Sequence, residues 1–505
     1  MEVTLKNGRV EKINCDAVII NLFEETKKLS GASKAINDAT DGLVEKIIKD
    51  EDFKGSLGST LLIRSNDLIP AKKIIIVGLG KKDKFDLNAV RKAQASAIRR
   101  SKSEKAKTVC TVLHGGENSK LDTRTITQVI TEVSYLATYE FDKYKSKDTN
   151  NKDKKDEKKE IENLIIVETQ KNKNKAIQEG IKRGKIFAKA QKLARDLVSE
   201  PPGVATPTYL SQIAEKIAKE NKLKIKVLDE KDCKALGMGA FLAVGEGSEE
   251  PSKFIEIKYT PSKAKKHIAI VGKGVTFDSG GLSLKPSKSM ETMKMDMSGA
   301  AAVLSTMSVI KELNPKVAIT MIVAACENMP GGTAYKLGDV VRAMNGKTIE
   351  ILNTDAEGRV TLADSLSYIS KQKPDAIIDL ATLTGACVVA LGDYTTGVMG
   401  NNQKLIDSVI KAGNEIGERM WQLPLLDEDR DKIKSDVADM INTGSRGGAG
   451  AQNGAVLLEK FVDDIPWVHL DIAGPAWVDT ANAYGPKGPT GVGARTLLNF
   501  LDKYA

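Results

Sequence analysis

Asn353-Thr354-Asp355-Ala356-Glu357-Gly358-Arg359 sets two carboxylates and a guanidinium at alternate positions directly after the mostly apolar run Ile349 to Leu352. If the segment stays extended, residues two apart face the same way, and Asp355, Glu357 and Arg359 point into one cavity. Acids that close repel each other at neutral pH, and one takes up a proton unless a cation keeps both ionised. Any fold this chain adopts must therefore supply a counter-charge at this place. A divalent metal is the economical one.

Further ligands stand upstream, in Val271-Gly272-Lys273-Gly274-Val275-Thr276-Phe277-Asp278-Ser279-Gly280-Gly281 and in Met293-Lys294-Met295-Asp296-Met297. Together Asp278, Asp296, Asp355 and Glu357 make a four-carboxylate set, accompanied by Lys273, Lys285 and Arg359. One divalent ion leaves such a set about two charges negative; two ions balance it, and two-metal sites place their ions ~3.5–4 Å apart. The charge balance favours a dinuclear centre.

These segments, with Leu284-Lys285-Pro286, carry a resemblance. The chain resembles the leucine aminopeptidase (cytosol aminopeptidase) family of dinuclear metallo-exopeptidases over roughly residues 160–505. The resemblance implies that Asp278 and Glu357 are shared by both metals, that Lys273 and Asp296 bind one, and that Asp355 binds the other. It implies Lys285 and Arg359 as the catalytic cations. An amine ligates only when neutral, and a free lysine titrates near ~10.4, so Lys273 must be depressed by metal contact and burial.

The expected chemistry is amide hydrolysis. A water between two divalent ions gives up its proton near neutral pH while one ion polarises the scissile carbonyl, and Lys285 stabilises the negative charge developing on that oxygen. Arg359 cannot act as a base. The resemblance supplies a bicarbonate held by Arg359 for that task, a free N-terminal amine on one metal to fix the register, and a hexameric assembly. It also implies a side-chain pocket of Met293, Thr382, Gly385 and Ala473, whose lining suits apolar residues such as leucine or methionine. Zinc or manganese, with cobalt or magnesium as further candidates, fit the donor set. Ser199 stands where relatives usually show asparagine.

Other readings of the same residues exist. Asp296 can be the N-cap of a helix over Ser298 to Leu313, which ends before Pro315. Asp278-Ser279-Gly280-Gly281 is also a serine-protease-like segment, but the chain has only His114, His267 and His469, in an alternating strand and helix context. His267 and His469 read as structural. Gly78-Leu79-Gly80 and Gly272-Lys273-Gly274 do not complete a dinucleotide pattern.

At 505 residues the natural expectation is two domains, and 41% hydrophobic with 28% charged residues is ordinary for a globular enzyme. No apolar run is long enough for a membrane span, Met1 to Leu5 lacks a signal-peptide core, and the expectation is a cytoplasmic protein. Cys15, Cys110, Cys233, Cys326 and Cys387 are unpaired in spacing, which fits a reducing compartment, with Cys326 and Cys387 in the core. The net charge of +9 raises nucleic-acid binding, yet the densest charged stretch, Asp142 to Glu160, mixes eight lysines with six acids. It is a polyampholyte, not a basic arm.

Residues 1–170 read as an α/β domain, with strands at Ala17 to Leu22, Ile74 to Gly78 and Leu164 to Val167, and a helix from Asn88 behind Asp86; residues 142–160 read as a charged flexible insertion. Residues 171–200 hold a connecting helix with apolar residues at helical spacing from Ile177 to Leu197. Residues 201–505 alternate strands and helices, which predicts an α/β catalytic domain with a mainly parallel central sheet flanked by helices. Thr443 to Gly450 reads as a glycine-rich rim. The function the family resemblance implies is release of N-terminal residues from peptides. Two rivals are an aminopeptidase that also binds DNA and a silent scaffold of the same fold.

Overall fold

The computed structural model describes residues 1–116, 119–146, 160–445 and 447–503. Most of the charged stretch read as an insertion lies outside the described residues, as does Arg446 of the glycine-rich rim. The chain divides into two compact units: Met1–Ala188 with Thr480–Pro486, and Lys189–Asp479 with Lys487–Ala505. The division falls within the helix Asn174–Ser199.

The first unit is built on strands β1 (Glu2–Asn7), β2 (Ala17–Leu22), β3 (Thr60–Arg64), β4 (Lys73–Gly78), β5 (Thr108–Thr111) and β6 (Asn163–Glu168), in the order β1-β6-β5-β2-β4-β3. All neighbours are parallel except β3 on β4. The reason lies in the strand sequences. Val18, Ile19 and Ile20 are wholly buried in succession, so both faces of the sheet need cover. Ile19 packs with Val90, Ile98 and Ile130, while Val18 and Ile20 pack with Ile36 and Val44. Asp86 caps the helix Leu87–Ser103 by accepting from the amide of Ala89, as its position in the sequence predicts.

The second unit adds β7 (Lys224–Leu228), β8 (Lys253–Tyr259), β9 (His267–Asp278), β10 (Ala318–Asn328), β11 (Val340–Arg342), β12 (Thr348–Glu350), β13 (Ala376–Ala381), β14 (Thr395–Gly400), β15 (Arg419–Gln422), β16 (Met440–Ile441), β17 (Trp467–Asp471), β18 (Trp477–Val478) and β19 (Gly488–Pro489). Eight of them form a sheet in the order β15-β14-β17-β13-β9-β10-β8-β7. Its centre, β17-β13-β9-β10, is parallel, whereas β8 and β7 add antiparallel strands at one end and β14 runs antiparallel to β17. Alternate residues of β9 enter different cores: Ile268 and Ile270 meet the helix Ser298–Ser308, and Ala269 and Val271 meet the helix Gly358–Ser370. The predicted α/β architecture with helices on both faces of a mainly parallel sheet is what forms.

The helix predicted over Ser298 to Leu313 is two helices, Ser298–Ser308 and Ile310–Leu313, with Val309 between them at φ −119°. Ser308 Oγ donates to the carbonyl of Ser305 at 2.7 Å, a local bond that competes with the helical ladder. Among the described residues no helix is long and apolar enough to cross a membrane.

Candidate metal centre

β9 runs on for twelve residues, past the apolar run Ile268 to Val271, so Lys273 sits inside the strand and Asp278 closes it. Thr382 directly follows β13, and Ala473 follows β17 by two residues; these strands are parallel to β9 and to each other. The site residues thus gather at the carboxyl ends of neighbouring parallel strands, where open α/β sheets place their sites.

The acids of Asn353 to Arg359 do not meet by strand pleat. The segment is a turn: Asn353 Oδ1 accepts from the amide of Asp355 at 2.8 Å, the amide of Ala356 bonds the carbonyl of Asn353, and Glu357 is already helical at φ −76°, ψ −33°. Arg359 lies in the first turn of the helix Gly358–Ser370. The extended reading is therefore corrected. An asparagine side chain that bonds the backbone two residues on builds a turn in place of a strand.

Asp296 is likewise not a cap. It lies in the short 3-10 turn Met293–Met297, and Met297 takes the cap position with no side-chain bond to the helix. Its Oδ1 instead receives Lys273 Nζ at 2.8 Å and Thr382 Oγ1 at 2.7 Å.

Two ammonium groups hold the cluster. Lys273 Nζ lies 2.7 Å from Asp296 Oδ2 and 2.7 Å from Glu357 Oε1, and it donates to the carbonyl of Thr382 at 3.0 Å. Lys285 Nζ pairs with Asp278 Oδ2 at 2.9 Å and with Asp355 Oδ1. Asp278, Asp355 and Glu357 present oxygens that all lie within 4.8 Å of one another. Asp296 joins them through Lys273. Gly358 is required here because a Cβ at that position would stand 2.6 Å from Lys273 Cε and 2.7 Å from its Nζ.

The electrostatics follow from four carboxylates facing two ammonium groups. Burial and then Asp278 push Glu357 up to about 8. Asp296 and Asp355 are raised as well, by burial first, against the pull of the lysines. Burial alone would lower Lys273, but Asp296, Glu357 and Asp278 outweigh it and hold the proton on the amine. Lys285 is raised for the same reason, chiefly by Asp278 and Asp355. The protein's own charges thus raise Lys273, against the depression expected of it, and only bound cations would reverse that. Asp296 Oδ2, Asp355 Oδ1 and Glu357 Oε1 are buried, and among the described residues it is the ammonium groups of Lys273 and Lys285 that face them. Buried hard oxygen donors with surplus negative charge, plus an amine, fit divalent cations.

Asparagines absent from the sequence reading fix this geometry. Asn328, fully buried at the end of β10, donates to Asp278 Oδ1 at 2.8 Å. Asn442 Oδ1 accepts from the amides of Leu352 and Asn353, its Nδ2 donates to the carbonyl of Asn353, and its own carbonyl accepts Arg359 Nη1 at 2.9 Å. Lone asparagines belong to no spacing pattern, so nothing in the sequence flags them.

Of the pocket residues, Thr382 touches the cluster through Asp296, Met293 starts the turn carrying Asp296, and Gly385 opens the helix Gly385–Leu391. Asp471 ties this side together: its Oδ1 accepts from the amides of Leu383 and Ala473, and its Oδ2 from Thr384 Oγ1. Ser279 Oγ donates to the carbonyl of Asn328 at 2.7 Å, and the three histidines bond Asn21 and Gln94, Thr320, and Asp379. The serine-protease reading has no geometry to stand on. All five cysteines are buried and free.

The profile of the cytosol aminopeptidase family's catalytic domain matches residues 192–498, and that of its N-terminal domain matches residues 19–148. The chain belongs to the cytosol aminopeptidase family. Curated relatives named probable cytosol aminopeptidase include one from Sulfurihydrogenibium sp., 45% identical with 100% of this chain and 98% of the relative covered. One from Aquifex aeolicus is 47% identical, with 100% and 98% covered. Among solved structures, a mutant of tomato leucine aminopeptidase superposes with a TM-score of 0.88 at 35% identity, covering 99% of this chain and 96% of the other. The bottromycin maturation enzyme BotP in complex with Mn superposes at 0.84 and 33% identity, covering 96% and 99%. Cytosol aminopeptidases of this family are dinuclear metal-dependent enzymes, and this family member is a metallo-aminopeptidase that hydrolyses peptides.

Proposed function

We propose that Lys273, Asp278, Asp296, Asp355 and Glu357 hold two divalent ions, and that Lys285 and Arg359 are the catalytic cations of an aminopeptidase acting on peptides with an apolar N-terminal residue. The observation that carries this reading is the convergence of Asp278, Asp355 and Glu357 within 4.8 Å around two lysines that leave the site short of positive charge. When bound, two divalent ions supply an activated water and a Lewis acid for the scissile carbonyl.

The chain's own residues do the remaining work. With Asp278 and Asp355 engaged by bound cations, Lys285 would be available to donate to the carbonyl oxygen as it gains negative charge. Arg359 is 8% exposed, anchored by one guanidinium nitrogen on Asn442, and its Nε has no hydrogen-bond partner among the described residues. That leaves donor capacity for a small anion, and bicarbonate as proton carrier fits. Thr382 touches Asp296, and with Gly385, Ala473 and Met293 as the other members of the side-chain pocket, its small groups, methyl and thioether favour leucine or methionine side chains.

Zinc and manganese suit the donors, as do cobalt and magnesium; the Mn bound by BotP supports manganese by likeness. A cytoplasmic location accords with relatives named cytosol aminopeptidase. A homohexamer follows from the family resemblance. The domains run over residues 1–170 and 201–505, with residues 171–200 as the connecting helix. Hydrolysis of leucyl p-nitroanilide, abolished by a chelator and restored by zinc, manganese or cobalt, tests the reading. Turnover that survives removal of the metals would refute it.

A further inference from the structure

The pairing of β13 with β17 ends at Ala381 and Asp471, where the amide of Ile472 still bonds the carbonyl of Ala381 at 2.9 Å. Beyond that point neither chain continues as a strand: one runs from Thr382 to the helix Gly385–Leu391, the other from Ile472 through Ala473 towards β18. Backbone amides that leave a ladder need other acceptors. Here a single carboxylate supplies them. Asp471 Oδ1 accepts from the amide of Leu383 at 3.2 Å and from that of Ala473 at 3.1 Å, and Oδ2 accepts from Thr384 Oγ1 at 2.7 Å.

Asp471 is fully buried, between the equally buried Leu470 and Ile472. An acid in that position is costly unless donors satisfy it, and a carboxylate has acceptor sites for all three. Its own place is fixed from the other side of the sheet. On β14 its partner is Gly397, where a Cβ would stand 2.6 Å from Cys387 Sγ and 3.7 Å from Asp471 Cβ. The three donors come from two segments that end in members of the side-chain pocket: Leu383 and Thr384 lie between Thr382 and Gly385, and the third donor is the amide of Ala473 itself. With one oxygen bonded to both segments, their amides are held within two hydrogen-bond lengths of each other. Thr384 Oγ1 also accepts from the amide of Cys387 at 3.0 Å, so the same hydroxyl that reaches Asp471 caps the helix that Gly385 opens.

We propose that Asp471 is the positioning residue that sets the spacing of the pocket's two walls, and with it the preference for a large apolar first residue in the peptide. The proposal rests on the aminopeptidase reading given above and assigns to one carboxylate the selectivity of that site. Asp471 touches no reacting atom. It acts through Leu383, Thr384 and Ala473, and loss of its bonds lets the walls shift, which penalises a leucyl side chain that fills the pocket more than an alanyl one that does not.

The test compares kcat/KM for leucyl and alanyl p-nitroanilide on the full-length, metal-loaded enzyme, with metal content measured on the same samples. Asp471→Asn keeps one acceptor oxygen for the two amides but sets an NH₂ group against Thr384 Oγ1. We expect it to bind two ions and to lower the leucyl-to-alanyl ratio about tenfold, mainly through a higher KM for the leucyl substrate. Arg359 feels the charge of Asp471, but a change there affects both substrates and cancels in the ratio. Thr384→Val, which leaves that charge in place, should lower the ratio severalfold, whereas Thr384→Ser keeps the hydroxyl and should hold the parent ratio. If Asp471→Asn does not fold, the two Thr384 variants carry the test, and equal ratios in that pair overturn the proposal. A folded Asp471→Asn enzyme with the parent ratio, or one that has lost its metal, overturns it as well. A metal-loaded parent inactive on both substrates would instead overturn the aminopeptidase reading, and this proposal with it.

Discussion

Asn328 Nδ2 donates to Asp278 Oδ1 at 2.8 Å and to the carbonyl of Thr354 at 2.9 Å, so one buried amide ties the end of β9 to the turn that carries Asp355. With Oδ1 also receiving the amide of Gly280, Asp278 is left to act through Oδ2. Residues that orient metal ligands typically change metal affinity ~10–100-fold when replaced. We expect Asn328→Ala to weaken divalent-ion binding by that order and to regain most of its activity at saturating metal. Metal titration followed by assays at low and high metal decides this, and an unchanged affinity would remove Asn328 from that role.

Gly358→Ala is a test of close approach. Alanine is the better helix former by ~1 kcal/mol, so the helix Gly358–Ser370 should not suffer, but the added methyl would collide with the end of Lys273. We expect a melting temperature close to the parent's and loss of bound metal. Full metal occupancy in this variant would contradict the placement of Lys273 as a ligand.

The sequence disclosed the members of the site better than the way they meet. Asp278, Asp296, Asp355, Glu357, Lys273 and Lys285 converge as their motifs imply. The alternation argument for Asp355 and Glu357 reached the right residues by the wrong geometry, because Asn353 folds the segment into a turn. The strand Ala17–Leu22 was legible to the residue, since burial on both faces makes it apolar at every position but Asn21. Asn328, Asn442 and Asp471 were not, because the contacts that matter, apart from the bond of Asp471 to Ala473, reach residues 26 or more positions away.

The metal-free enzyme should lose stability as pH rises. Glu357 titrates near 8 in the folded chain against 4.5 unfolded, so between those values the native state holds a proton that the unfolded state has released. Stability from this group is complete below about 4.5 and is lost through about 8. Asp364, raised by burial to about 7 although the amides of Phe241 and Met344 oppose the shift, adds the same sign. Cations replace the proton on Glu357 but leave Asp364 untouched. Melting curves of the metal-loaded enzyme should thus flatten above pH ~7, while those of the stripped enzyme go on falling to ~8. Parallel curves would mean that Glu357 does not meet the metal.

Ligands and catalytic cations should separate on mutation. Asp278→Asn and Glu357→Gln should lose metal together with rate. Lys285→Ala should keep its metal and lose about 10²–10³ in kcat, the loss seen when a donor to a developing oxyanion is removed. Elemental analysis beside steady-state kinetics distinguishes the two classes; a Lys285→Ala enzyme without metal would make Lys285 a structural counter-ion only. Asp355→Ala with parent-like activity would remove Asp355 from the ligand set.

The most direct test counts metal in the purified enzyme before and after exhaustive chelation, with leucyl p-nitroanilide hydrolysis followed on the same samples. We expect two divalent ions per chain, activity that falls with their removal, and recovery only as the second ion returns. Undiminished hydrolysis by protein stripped of divalent ions would contradict the carboxylate cluster as a metal-dependent active site.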